Sequence, residues 1–270
     1  MERLLITGAD GMLGSYFKTG TRTDRATLDV TNLSSVMAAC KEYRPRTIIH
    51  LASATDLAFC EKEPEEAYLI NAVGTYHMAL AARAVGAKLV YISTSGIFDG
   101  TKSEPYTTED IPSPVNVYGH SKYLGELAVR SVLGDYLIVR TSWLFGGGKD
   151  KDKKFVGKIL GKLSEPEIRA VADRRGSPTY ANDLVLAVLA FIEEGRRGIL
   201  HVGGADATRC EVAREIVSAA GSAARVLPAD SAEFKTGYSS GQNESMVSSI
   251  VLRPWQEALR EYLREEWDIR

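Results

Sequence analysis

Cysteine is scarce in this chain. Cys40, Cys60 and Cys210 are the only three in 270 residues, widely spaced and odd in number. No C-x-x-C pair is present, so the sequence supports neither a disulfide framework nor a zinc site. The simplest reading is reduced thiols in a cytoplasmic protein. Long apolar runs are missing too. Without one of about 18 residues, no membrane-spanning segment is expected. The start, MERLLITGAD, reaches glycine too early for the apolar core of a signal peptide. Excess charge of either sign is absent, with 33 Lys+Arg against 35 Asp+Glu. That excludes the electrostatic footprint of a nucleic-acid binder. His50, His77, His120 and His201 are scattered and share no ligand spacing. They read as structural, and no metal is expected.

What is present is alternation. RLLIT (3–7), TIIHLA (47–52), KLVYIS (88–93) and YLIVR (136–140) read as buried strands. Helical patterns stand between them: MLGSYFK (12–18), LSSVMAACKEY (33–43), a long stretch over 64–86 opened by Pro64, and about 118–133. The interval 19–28 has room only for a short or irregular strand. Strand–helix alternation of this kind builds a parallel sheet covered on both faces. The fold class expected is therefore α/β, a Rossmann-type doubly wound parallel sheet with a smaller C-terminal α/β substrate lobe. The dinucleotide-binding part is expected over 1–143 plus about 179–200. The substrate lobe then takes about 144–178 and 201–270. In that region 155–163, 182–195, 209–221 and 254–267 read as helices, the second capped by Asn182 or Asp183. EIRAVA (167–172) and GILHVGG (198–204) read as strands, and the charge run KDKDKK (149–154) as a solvated loop.

Two spacings carry chemistry. TGADGMLG places Gly8, Gly11 and Gly14 three residues apart, after a strand and before a predicted helix. One glycine makes the bend, one lets backbone approach a pyrophosphate, and one lets helix and strand pack closely. The nearby Arg22, Asp24 and Arg25 leave NAD and NADP both open, with the two arginines tilting toward NADP. Farther on, YGHSK puts Tyr118 and Lys122 four residues apart, on one face of a helix. A phenol has a pKa of roughly 10, and bringing it to near 7 takes about 4 kcal/mol of preference for the phenolate. A lysine at i+4 and a cationic nicotinamide ring can supply that by charge proximity.

With STSGIFDG (93–100) and VYGHSKYLGE (117–126) added to the glycine turn, the chain resembles the extended short-chain dehydrogenase/reductases. RTSWLFG (140–146) and RGSPTYANDL (175–184) narrow the resemblance to the dTDP-4-dehydrorhamnose reductase family. The likeness runs to about residue 185. It implies NAD(P)H-dependent reduction of the 4-keto group of a nucleotide-linked 6-deoxy sugar. Tyr118 would be the general acid at the ketone oxygen. Lys122 would bind the nicotinamide ribose and lower the tyrosine pKa, and Thr94 would hydrogen-bond the same oxygen. Gly8, Asp10, Gly11, Met12, Leu13 and Gly14 would hold the cofactor, with Asp29 and Val30 near the adenine and Leu51, Ala52 and Ser53 along the groove. Ser95, Trp143, Arg174 and Arg175 would face the substrate, the arginines as phosphate forks. The partners expected are a nucleotide-sugar substrate and no nucleic acid or membrane, with a homodimer left open.

The chain departs from the family pattern in three places. STSGIF carries Ser95 and Gly96 where the family has an aspartate and an aromatic. Lys154 replaces an asparagine, and GQNESMVSS (241–249) lacks the family's Arg-Pro. Two alternatives stay open: a sugar-nucleotide epimerase of the same superfamily, or a non-catalytic NAD(P)-binding regulatory protein.

Overall fold

The computed structural model describes residues 3–269. Leu4–Thr7 (β1) is buried along its whole length. So is Thr47–His50 (β3). Such unbroken burial is what a strand covered on both faces requires. These two join Thr21–Thr23 (β2), Lys88–Thr94 (β4), Tyr136–Thr141 (β5) and Gly198–Val202 (β6). The six form one sheet in the order β6-β5-β4-β3-β1-β2. Every neighbouring pair is parallel. The chain moves outward from β1 to β2, then crosses back to β3 on the other side. That reversal opens a crevice beyond the carboxyl ends of the strands.

Alternate side chains of the strands feed two apolar layers. Ile6, Ile49, Val90, Leu137 and Val139 pack on the helix Ala181–Glu193 through Leu184, Val188 and Phe191. Leu5, Ile48, Leu89, Tyr91 and Ile138 pack on Val36, Met78, Ala82 and Val129. Those four come from the helices Leu33–Tyr43, Gly74–Val85 and Val117–Val132. The doubly wound sheet is thus formed as expected, and Gly198–Val202 is its sixth strand. A separate cluster around Phe145, Ile168, Ile216, Leu259 and Tyr262 binds together the later elements. There Glu167–Val171 pairs in parallel with Arg225–Ala229, a strand the sequence did not announce.

Several expectations are corrected. The helix expected over 12–18 is a single 3-10 turn, Gly14–Tyr16, because the chain must turn back to enter β2 at Thr21. The long helix over 64–86 is interrupted. Pro64–Tyr68 and Gly74–Val85 are α-helical, and Leu69–Val73 between them is a π segment. An extra helix, Leu57–Lys62, is capped by the Asp56 carboxylate, which accepts from Phe59 N at 2.8 Å. Neither Asn182 nor Asp183 caps its helix. Tyr180 holds the cap position, and Asp183 binds Arg253 at 2.8 Å. The charge run is not a solvated loop throughout. Gly148–Lys151 makes one helical turn, and Asp152 is buried with its carboxylate accepting from the Tyr262 hydroxyl at 3.0 Å. That burial pushes the Asp152 carboxyl above its ordinary range.

Candidate active site

The helix Val117–Val132 begins where the Asn116 side chain accepts from Gly119 N at 2.7 Å. A Cβ at Gly119 would fall 2.0 Å from the Gly96 carbonyl oxygen. Glycine there lets the helix start lie directly on the turn Ser95–Ile97 that follows β4. This contact brings Tyr118 to Thr94. The Thr94 hydroxyl accepts from Gly96 N at 3.1 Å, and its hydrogen bond to the phenol draws the Tyr118 pKa down. Burial works the other way and wins, so the phenol is pushed up to about 12.

Lys122 stands one turn along the same helix, only 3% exposed. Its ammonium donates to the Ile92 carbonyl at 2.7 Å and lies 4.2 Å from the centre of the Tyr91 ring. Burial pulls its pKa down to about 7, against the opposing pull of Glu126. The expectation that Lys122 lowers the Tyr118 pKa is therefore corrected for the protein alone. The ammonium gives one of its three donors to Ile92, and burial sets the phenol. Glu126 in turn is held by Arg140 in a buried pair at 2.7 and 3.0 Å.

At the end of β1 the glycine turn meets its steric demands. Gly8 has φ +64, and a Cβ there would sit 2.7 Å from Ala52 N. A Cβ at Gly14 would sit 2.5 Å from Ala9 Cα. Gly11 is different, since a Cβ there would meet only the Gly8 carbonyl, at 3.3 Å. Its other side is open. Among the described residues, the N–H groups of Asp10, Met12 and Leu13 donate to no backbone carbonyl. Free backbone donors around an open glycine fit the pyrophosphate of a dinucleotide. Leu51 N and Ala52 N both donate to the Thr7 hydroxyl at 3.3 Å. The Ser53 hydroxyl donates to Asn71 Oδ1 at 2.8 Å. Asp29 accepts from Thr31 N and its hydroxyl at 2.9 and 2.7 Å, which holds its carboxyl below the usual range. Val30 is buried, and its carbonyl is bonded to His77 Nδ1 at 3.0 Å.

Of the two arginines after β1, Arg22 is turned to the loop's own carbonyls in a way the sequence did not suggest, and Arg25 stays exposed. Arg22 donates to the carbonyls of Ala9, Gly14 and Phe17. Arg25 is exposed and pairs loosely with Glu66 at 3.4 Å. The Asp24 carboxylate caps its own turn by accepting from Ala26 N and Thr27 N.

On the opposite wall, Trp143 adopts φ +42, the left-handed region that costs a bulky residue energy. Three contacts hold it there. The indole N–H donates to Glu244 Oε2 at 2.8 Å, the Arg209 guanidinium lies 3.6 Å from the ring centre, and Gly176 leaves no room for a Cβ beside the ring. Arg174 and Arg175 do not act as a pair. Successive residues of extended chain point to opposite sides, so Arg174 reaches Ser240 while Arg175 turns to Asp206 at the surface. Ser95 is likewise corrected as a substrate-facing group. It is buried, with its hydroxyl donating to Ser142 Oγ at 3.0 Å.

Sequence reasoning missed Arg209, Glu244, Tyr238 and Asp56. Glu244 acts electrostatically on Tyr118, Arg209 and Tyr238, and Lys154 senses both Arg209 and Asp56. Burial pulls the Arg209 guanidinium down to about 10 and lowers Lys154. A hollow of about 570 Å³, lined by Glu61, Asn116, His120 and Tyr238, adjoins the helix start without including Tyr118 itself.

A six-stranded parallel sheet, a glycine loop at its first strand and a Thr–Tyr–Lys group beside its fourth define an extended short-chain dehydrogenase/reductase. More narrowly, the chain belongs to the RmlD family, since the family model described as "RmlD substrate binding domain" matches residues 1–267. It is 36% identical over 282 residues to the spore coat polysaccharide biosynthesis protein SpsK of Bacillus subtilis, covering 98% of each chain. It is 35% identical to a dTDP-4-dehydrorhamnose reductase of Mycobacterium tuberculosis, over 96% of this chain and 91% of the relative. The crystal structure of the dTDP-4-dehydrorhamnose reductase of Bacillus anthracis in complex with NADP superposes with a TM-score of 0.93. It is 37% identical and covers 98% of this chain and 99% of that one.

Proposed function

We propose that this protein reduces the 4-keto group of a nucleotide-linked 6-deoxy sugar, as a dTDP-4-dehydrorhamnose reductase, using NADPH or NADH. The observation that carries the reading is the placing of Thr94, Tyr118 and Lys122 at the carboxyl end of β4, at the same end of the parallel sheet as the glycine loop after β1. Tyr118 is the general acid, handing its phenolic proton to the ketone oxygen. In the protein alone the phenol is protonated at neutral pH, and the positive charge of a bound nicotinamide ring would bring it toward the working pH, where a general acid is most effective. Thr94 fixes the same oxygen, and Lys122 holds the nicotinamide ribose. When bound, the reduced nicotinamide supplies a hydride. Gly8, Gly11 and Gly14 and the N–H groups of Asp10, Met12 and Leu13 hold the pyrophosphate. Asp29 and Val30 border the adenine, and Leu51, Ala52 and Ser53 line the groove.

Trp143, clamped by Arg209 and Glu244, forms the floor for the sugar, and Arg174 and Lys154 offer charge to the sugar-nucleotide diphosphate. The cofactor preference leans to NADP, which the Bacillus anthracis relative holds. The parts on either side of the crevice divide as 1–143 with about 179–200, and the rest as substrate lobe. Three free, buried cysteines suit a cytoplasmic setting. Among the described residues no helix is long and apolar enough to cross a membrane. Exposed Leu69, Val73 and Tyr76, at helical spacing, suit a homodimer.

The test is to mix the protein with NADPH or NADH and a dTDP-4-keto-6-deoxyhexose and follow the absorbance of the reduced nicotinamide. Steady consumption and a reduced sugar product are expected. Firm cofactor binding with no consumption for any 4-keto sugar nucleotide would contradict the reading.

A further inference from the structure

The glycine loop of this chain lacks the α-helix that the sequence pattern leads one to expect after it. Only a 3-10 turn of three residues follows, Gly14–Tyr16. A helix would have satisfied the loop's carbonyls internally and held its peptides in place. Among the described residues no backbone N–H donates to the Ala9 or Phe17 carbonyl. Both are taken by one side chain. Arg22 Nη2 donates to the Ala9 carbonyl at 2.6 Å, and Nη1 donates to the carbonyls of Gly14, at 2.8 Å, and Phe17. The guanidinium is planar and carries fixed, forked donors, so it dictates where three carbonyls point.

We propose that Arg22 is a positioning residue for the cofactor: it replaces the missing helix by holding the glycine loop from behind. Across a planar trans peptide, C=O and N–H point in opposite directions. Fixing the Ala9 carbonyl on Arg22 therefore turns the Asp10 N–H to the other side. The Met12 and Leu13 N–H groups lie in the same loop and, among the described residues, have no backbone acceptor. Arg22 also places a full positive charge behind the loop, where a helix would have offered only the partial charge of its N-terminus. It stands in β2, opposite Ile6 of β1, a position from which an arginine often reaches the 2′-phosphate of NADP. Here three of its five donors are already engaged by the loop's own carbonyls. The role is therefore toward the pyrophosphate common to both cofactors, not toward the phosphate that separates them.

This inference rests on the loop binding a nicotinamide dinucleotide, so the experiment measures that binding directly, without sugar. NADPH and NADH are titrated separately by calorimetry into wild type, Arg22→Met and Arg22→Lys, with thermal midpoints recorded alongside. The expected result for Arg22→Met is a Kd raised about 10- to 100-fold for both cofactors by the same factor. Arg22→Lys, which keeps the charge and part of the bonding, should fall between and serves if Arg22→Met does not fold. At saturating cofactor, kcat should stay within about threefold while KM for the cofactor rises. A loss confined to NADPH would overturn the proposal and assign Arg22 to the 2′-phosphate. A lowered midpoint with both Kd values unchanged would overturn it as well. Wild-type protein that bound neither cofactor would sink the functional reading itself, and this role with it.

Discussion

Lys122 carries a charge into a place that resists it. Its folded pKa of about 7 lies below the ordinary lysine value of 10.5. Between those values the unfolded chain binds the proton and the folded one does not, so this group makes stability rise with pH from about 7 to 10.5. Below pH 7 the buried ammonium is a standing cost. Replacing it with an apolar side chain of similar length should stabilise the fold at pH 6 by on the order of 1–3 kcal/mol. Denaturant unfolding of Lys122→Met should show that gain at pH 6 and its shrinkage by pH 9.5, in a protein without turnover. A variant less stable than wild type at pH 6 would contradict the burial argument. The residue scale also shows what local sequence could tell. The Tyr118 and Lys122 spacing was legible because both sit on one helix turn. Arg209 and Glu244 were not, since only tertiary packing brings them to Trp143.

At the scale of elements, the buried strands were legible from their apolar runs, and the helices flanking them from their periodicity. Two failures have physical causes. The helix expected over 12–18 gave way because too few residues remain to complete it before β2. The helix over 64–86 is continuous in pattern but carries a π segment at Leu69–Val73, which no periodicity announces. That segment aims Asn71 at the strand ends. Its amide accepts from Ser53 Oγ and Ala54 N and donates to the Ala54 carbonyl and Ser121 Oγ, all at 2.8–2.9 Å. Asn71 is fully buried, so truncation leaves the Ala54 N–H unpaired. Asn71→Ala should lower unfolding stability by about 1–3 kcal/mol. Hydrogen exchange should quicken around Ala54 more than at β1. Unchanged exchange there would show that other contacts hold the groove wall.

For the molecule as a whole, the C-terminal helix Trp255–Trp267 reaches back to the beginning of the chain. The Tyr16 and Tyr180 hydroxyls both donate to Glu266 Oε1, at 2.5 and 2.7 Å, and Gly147 N donates to the Tyr16 hydroxyl at 2.6 Å. Tyr16 belongs to the turn that closes the glycine loop. The far end of the chain thus braces the cofactor side of the crevice. Glu266→Ala should cost about 1–3 kcal/mol of stability and raise the Kd for NADPH several-fold. Glu265→Ala, which touches only exposed Arg264, should do neither. Equal effects of the two would argue against a brace. This long-range tie had no signature in the sequence, where Glu266 reads as one more charge on an amphipathic helix.

The transfer of a phenolic proton from Tyr118 is measured most directly by comparing Tyr118→Phe with wild type in two ways, single-turnover reduction of a dTDP-4-keto-6-deoxyhexose and calorimetric binding of NADPH. The ring and its packing remain and only the hydroxyl is lost. The reduction rate should fall about 10²- to 10⁴-fold, with the Kd for NADPH within about threefold of wild type. A variant that kept more than about a tenth of the wild-type rate would contradict the assignment of Tyr118 as the proton donor.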